Sequence, residues 1–217
     1  KLKINLTDTV TKSIYSGHEL SRLSETKTSW KLGSPISLLL VGRNHWIKNY
    51  SLVISLAKKI RDNNMPIKFR FVGLELNDSE EILFLTKLYD LENYLEFIPN
   101  QSPDKLKDIY RQADALILPS LEEGIANVCI EAMSYRLPVI ASDVGGMSEL
   151  IESEFSGVLV KDISVDGFYN ALQLFSRMSE KDIENMVNNG YETVKTKFSS
   201  EKMIKDFNRF YKIVLDA

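Results

Sequence analysis

Six times between residues 36 and 160 this sequence passes from a short apolar run into a stretch of helical character. The runs are Ile36–Val41, Ile67–Val72, Tyr94–Ile98, Ala115–Leu118, Pro138–Ala141 and Gly157–Val160. Between them lie Tyr50–Arg61, Ser79–Leu88, Pro103–Gln112, Asn127–Tyr135 and Met147–Glu152, and after them Val165–Met178, Glu180–Lys197 and Ser200–Val214. A continuous apolar run suits a strand covered on both faces, and a helix between successive runs suits the crossover that parallel strands need. The pattern therefore predicts an α/β fold: one parallel sheet of about six strands, doubly wound and Rossmann-like, with C-terminal helices after it.

The chain has 217 residues, enough for one large domain over 35–217 and a remainder of 34. The remainder lacks the alternation. Thr, Ser and Lys dominate it, and Gly33-Ser34-Pro35 closes it, so it is expected to be a linker or the remnant of a preceding domain. No apolar run approaches the length a bilayer requires, and the first residues carry no secretory h-region. Net charge is −3, from 27 basic and 30 acidic residues, which excludes the basic excess of a nucleic-acid binder. The one cysteine, Cys129, can form no internal disulfide, which points to a reducing compartment and rules out a cysteine zinc site.

Doubly wound folds bind ligands beyond the carboxyl ends of their strands, so the chemistry is sought in the loops there. In the first, Arg43 and Lys48 flank a helix start. Free N–H groups and the positive dipole end favour anions. A guanidinium fork beside a point charge suits a diphosphate, although two solvated surface cations would read the same way. The loop after the fourth run carries Glu123, Gly124 and then Glu131 inside a helix. Amides around Ile125–Val128 would face an anion, with Glu123 accepting hydrogen bonds from hydroxyls, a combination that fits a sugar phosphate. Alternatively Asn127 caps the helix and Glu123 complements its dipole. Glu131 precedes Ala132 and Met133, a partly buried face on which a carboxylate needs a partner. Gly145-Gly146 reads as an anion-binding turn or as a simple tight turn.

With these residues in order, the sequence from Pro35 onward resembles the C-terminal donor-binding domain of glycosyltransferase family 4, retaining enzymes of the GT-B fold. The resemblance rests on Gly42-Arg43 with Lys48, on Glu123-Gly124-Ile125-Ala126-Asn127-Val128-Cys129-Ile130-Glu131-Ala132-Met133, on Leu137–Ser142, and on Gly145-Gly146 with Glu149. It implies that Arg43 and Lys48 hold the donor diphosphate and stabilise the leaving group, and that Glu123 contacts the transferred sugar. Gly124, Ile125, Ala126, Asn127 and Val128 would offer backbone amides, Glu131 would accept from the ribose, and Gly42, Gly73 and Ile98 would complete the donor site. No D-x-D occurs in the chain, which fits metal-independent transfer without a cofactor. A UDP-, GDP- or ADP-sugar is the implied donor, and a glycan or lipid-linked molecule the acceptor. Two positions depart from the family's glycines: Asn49, and Arg136, where a left-handed helix end is implied.

The resemblance further implies an N-terminal acceptor domain before a chain that opens without Met. Ile14–Leu20 looks like the passage from that domain, and Ser200–Val214 like the closing helix. The expected setting is the cytoplasm, with any peripheral membrane contact made by the absent domain. His18 and His45 are assigned no role. A non-catalytic nucleotide-sugar-binding module and a GT-B sugar-nucleotide epimerase are the alternatives. The presence of Arg43, Lys48, Glu123 and Glu131 together, and the spacing of the two glutamates, favour a transferase.

Overall fold

The structure, a computed structural model, describes residues 12–20, 26–74 and 79–215. Its strands are β1 (Ile36–Val41), β2 (Ile67–Val72), β3 (Leu95–Ile98), β4 (Ala115–Leu118), β5 (Val139–Ser142) and β6 (Val158–Val160). Its helices are α1 (Tyr50–Asp62), α2 (Glu80–Leu88), α3 (Pro103–Gln112), α4 (Asn127–Ser134), α5 (Met147–Leu150), α6 (Val165–Phe175), α7 (Glu180–Lys197) and α8 (Ser200–Leu215). All strand pairs are parallel, in the order β3-β2-β1-β4-β5-β6. This is the Rossmann-like α/β fold the alternation predicts. The predicted α6 runs too far, to residue 178; beyond Phe175 the bonds tighten, Arg177 donating to Leu174 and Met178 to Phe175.

Burial on both faces makes β4 uniformly apolar, while β2 carries Lys68 and Arg70 and β3 carries Glu96 outside the buried positions, and a period of two runs inside the strands. Leu38, Leu40, Phe69, Phe71, Ile117 and Ile140 enter one core with α1 and α6. Leu39, Leu116, Leu118, Val139 and Ala141 enter the other with α4 and the end of α7. The sheet order reverses between β1 and β4, so the loops that leave those two strands diverge and open a crevice at their carboxyl ends.

Part of the irregular N-terminal stretch packs on the domain. Trp30 is buried and its Nε1 donates to the Arg136 carbonyl at 3.2 Å. Lys27 donates to the Ala113 carbonyl at 2.6 Å and approaches Asp114 at 3.4 Å. Asp114 in turn accepts from the Ser37 amide at 2.8 Å, which ties this strap to the starts of β1 and β4. Residues 14–20 dock at the α7–α8 junction: Tyr15 lies 4.8 Å from the Phe198 ring and His18 bridges to Ser199. The rest of the predicted linker, residues 1–11 and 21–25, lies outside the described residues. α8 buries no side chain; Ile204, Tyr211 and Val214 stay exposed.

Both departures from the family's glycines keep a glycine-like backbone. Asn49 has φ 55° and Arg136 φ 57°. The Arg136 guanidinium lies 5.1 Å above the Tyr191 ring, a contact that offsets part of the left-handed cost. Arg136→Ala keeps the strain and loses the ring, whereas Arg136→Gly loses both. Thermal unfolding is expected to place the glycine variant above the alanine variant by about 1 kcal/mol. The reverse order would show that residue 136 is not held in the left-handed region.

Candidate functional site

The crevice is walled by the loops after β1 and β4, which are bonded to each other. A single 3-10 turn, Trp46–Lys48, follows β1, and His45 caps it by accepting from the Ile47 amide at 3.3 Å. His45, to which the sequence assigns no role, is thus a half-buried cap. Asn49 next turns left-handed, and its side chain donates to the Pro119 carbonyl at 3.2 Å, a bond that glycine could not make. The Leu121 amide donates to the Ile47 carbonyl at 2.8 Å. Across this seam Lys48 Nζ meets Glu123 Oε1 at 2.7 Å, and Ser120 donates to the same oxygen at 2.8 Å. Both charged side chains are largely shielded, with 21% and 15% exposure. Among the described residues, Glu123 Oε2 accepts no hydrogen bond.

The N-terminus of α4 opens beside this pair. Ala126 occupies the cap position and makes no side-chain bond, so the reading of Asn127 as a cap does not hold; Asn127 is the first helical residue. Among the described residues, the amides of Gly124–Val128 donate to nothing. Five unbonded donors thus lie at or just before a helix start whose dipole favours an anion. At Gly124 an added Cβ would meet nothing within 4 Å, so this face of the loop is open. The loop owes its position to Gly145-Gly146. Gly145 has φ 53°, a Cβ there would fall 1.8 Å from the Glu123 carbonyl, and the Gly146 amide donates to the Gly124 carbonyl at 2.9 Å. The glycine pair is therefore a brace under the Glu123 loop.

A cleft of about 310 Å³ lies at the ends of β1 and β2, lined by Gly42, Arg43, Val72, Gly73, Asn100 and Gln101, among others. Gly73 has φ 84°, and a Cβ on it would sit 3.3 Å from the Gly42 carbonyl. That carbonyl also accepts from Tyr50 at 3.0 Å. Arg43 is exposed and joins no ion pair among the described residues. Ile98 contributes its carbonyl to the Gly73 amide, at 3.1 Å, and its side chain packs into the core. The next residues, Asn100 and Gln101, are the ones that reach the cleft.

Glu131 finds the partner its setting demands. Tyr110 OH, on the last turn of α3, donates to Glu131 Oε2 at 2.9 Å. Burial first, and then Glu131, hold the Tyr110 hydroxyl protonated far above its ordinary range. Between the loops lies Cys129, fully buried. Burial pushes its thiol up, Glu123 and Glu131 push the same way and Lys48 opposes them. Arg43, Gly42 and Gly73 thus share one end of the crevice, and Lys48, Glu123 and the α4 amides the other. Tyr50, Asn100, Gln101, Tyr110 and Ser120 were not expected in the site; Asn100 and Ser120, each two residues past a strand end, carried a positional signal. Among the described residues no group of three or more His, Cys, Asp or Glu could hold a metal ion.

The family described as "Glycosyl transferases group 1" matches residues 24–193. The chain belongs to that family. This group 1 chain is 40% identical over 139 residues to the D-inositol 3-phosphate glycosyltransferase of Rhodococcus opacus, covering 61% of the chain and 31% of that relative. It is 28% identical over 181 residues to an uncharacterized glycosyltransferase of Methanocaldococcus jannaschii, covering 82% and 45%. The chain thus spans less than half the length of these curated relatives. Among solved structures, Anabaena HepE in complex with UDP and glucose superposes with a TM-score of 0.78 at 18% identity, over 93% of this chain and 56% of that one. Sucrose-phosphate synthase of Thermosynechococcus elongatus superposes at 0.75 with 23% identity, over 91% and 51%. The shared fold is the Rossmann-like half of a GT-B architecture. No helix among the described residues is long and apolar enough to cross a membrane.

Two glycines of the group 1 chain separate folding from access. Gly145→Ala collides with backbone and is expected to lower the thermal midpoint by several degrees, whereas Gly124→Ala leaves it unchanged. Equal midpoints for the two variants would show that Gly145 does not brace the loop.

Proposed function

We propose that this chain is the donor-binding half of a retaining glycosyltransferase of family 4, which moves a sugar from a nucleoside-diphosphate sugar to a glycan or lipid-linked acceptor without a metal. One observation carries the reading: Lys48 and Glu123, paired at 2.7 Å, stand beside the unbonded amides of an α-helix start at the point where the sheet order reverses. Cations and amides there suit a diphosphate, and a carboxylate oxygen suits sugar hydroxyls.

The chemistry follows from charge. Glycosyl transfer passes through an oxocarbenium-like state, as glycoside hydrolysis does. The bond to the leaving diphosphate breaks and negative charge grows on its oxygens. Arg43, Lys48 and the amides of Gly124–Val128 are preorganised where that charge would appear, and so lower the barrier. Glu123, with Oε1 held by Lys48 and Ser120, is fixed in orientation and presents Oε2 to the sugar. Glu131 would take the ribose, and the cleft at Gly42 and Gly73 the nucleoside end. HepE, a structural neighbour, was solved with UDP and glucose, and the shared fold lends support to a nucleotide-sugar donor. The acceptor, and the half of the enzyme that binds it, would come from outside this domain, in a cytoplasmic protein.

Calorimetric titration with UDP, GDP and ADP tests the reading. The chain is expected to bind at least one of them, and Arg43→Ala and Lys48→Ala are each expected to weaken binding about tenfold, near 1.4 kcal/mol. Assayed with the matching sugar nucleotide, the chain alone is expected to transfer nothing. Binding of none of the three, or binding indifferent to both substitutions, would overturn the assignment.

A further inference from the structure

Tyr110 lies outside every motif that marks the donor site. It sits on α3, which follows β3, yet it reaches the second glutamate on α4, which follows β4. Its ring is buried and stacks on Tyr135 at 5.4 Å with the planes 14° apart, so the side chain has one direction open to it. Along that direction the hydroxyl donates to Glu131 Oε2 at 2.9 Å. Glu131 itself is only half-buried, and among the described residues no group donates to its Oε1. A glutamate on a helix ordinarily samples several rotamers, and holding it in one costs side-chain entropy. Here that cost is met during folding, by a partner that is itself immobile.

We infer that Tyr110 is a positioning residue that fixes the Glu131 carboxylate through Oε2, so that Oε1 alone is presented to a vicinal diol, which makes the site selective for ribonucleotides over their deoxy counterparts. The inference rests on the donor-site reading, which places a nucleotide ribose at Glu131, and deepens it with a device that lies in a different helix. A carboxylate with one oxygen occupied accepts in one direction. A ribose 2′,3′-diol supplies donors for that direction; a dideoxyribose supplies none and leaves Oε1 desolvated without a partner. Tyr135, at the end of α4, serves the same end by bracing the Tyr110 ring.

The test uses the 217-residue chain, the nucleoside diphosphate that binds it most tightly among UDP, GDP and ADP, and the 2′,3′-dideoxy form of that nucleotide. The wild-type chain is expected to bind the ribonucleotide about fivefold or more tightly than the dideoxy form. Tyr110→Phe removes one oxygen and keeps the ring packing. It is expected to weaken the ribonucleotide about fivefold and to leave the dideoxy form unchanged. In a Glu131→Gln background, Tyr110→Phe is expected to have no further effect, since the charged partner it orients is gone. Thermal midpoints of all three variants report folding separately. Equal loss of both nucleotides in Tyr110→Phe would mark Tyr110 as merely structural and overturn the inference, as would unchanged binding of both. Failure of the wild-type chain to bind any of the three nucleotides would instead overturn the donor-site reading, and the inference with it.

Discussion

The ion pair between Lys48 and Glu123 spans the one place in the sheet where chain order reverses, and the organisation of the crevice depends on it. Lys48 ends the 3-10 turn after β1, and Glu123 lies in the loop after β4. Strand pairing fixes the roots of those loops, but nothing in the sheet fixes their tips. The ion pair, the Asn49–Pro119 bond and the Leu121–Ile47 bond do so. In exposed loops such a pair would contribute little. Here both side chains are mostly shielded, and the contact also orients the groups that a ligand would meet. Removing either charge would leave the other partly buried without a partner, so the two act as a unit.

Support for this unit comes from residues with no polar side chain. Gly145 and Gly146 let a loop after β5 lie against the Glu123–Gly124 backbone, closer than any Cβ would allow. Gly73 lets the loop after β2 reach the Gly42 carbonyl. Tyr50 and Tyr110, both buried, send hydroxyls to Gly42 and Glu131. The site is therefore held from beneath by backbone proximity and by two tyrosines, while its upper face, Gly124 and the α4 amides, stays open. That division matches a surface made to receive a charged ligand: rigid where it is supported, unpaired where it binds.

Much of this was legible in the sequence because the determinants are local. An all-apolar run such as Ile36–Val41 suits a strand buried on both faces, and the period of Tyr50–Asp62 suits the helix packed on it. Arg43, Lys48 and Glu123 were visible as charged residues in loops after buried strands, and Glu131 by its spacing from Glu123 on a partly buried helix face. What was not legible depends on contacts between distant segments. Trp30 reads as a stray aromatic in a polar stretch, and only the fold shows it buried and bonded to Arg136. Tyr110 reads as one apolar position of an amphipathic helix; its role depends on Glu131, 21 residues away. The glycine pair reads as a turn of either kind, and its packing against the Glu123–Gly124 backbone depends on a loop more than 20 residues earlier. Asn127 reads as a cap by residue type, and the backbone starts the helix one residue earlier.

The central claim is that the crevice between the β1 and β4 loops receives the diphosphate of a nucleotide. Amide chemical shifts of the isotopically labelled chain, followed during titration with the tightest-binding of UDP, GDP and ADP, test it most directly. The account predicts that the largest shifts fall on Gly42–Lys48, Gly73 and Gly124–Glu131, with the amides at the start of α4 foremost. Shifts concentrated away from these residues, with the α4 amides unmoved at saturation, would contradict it.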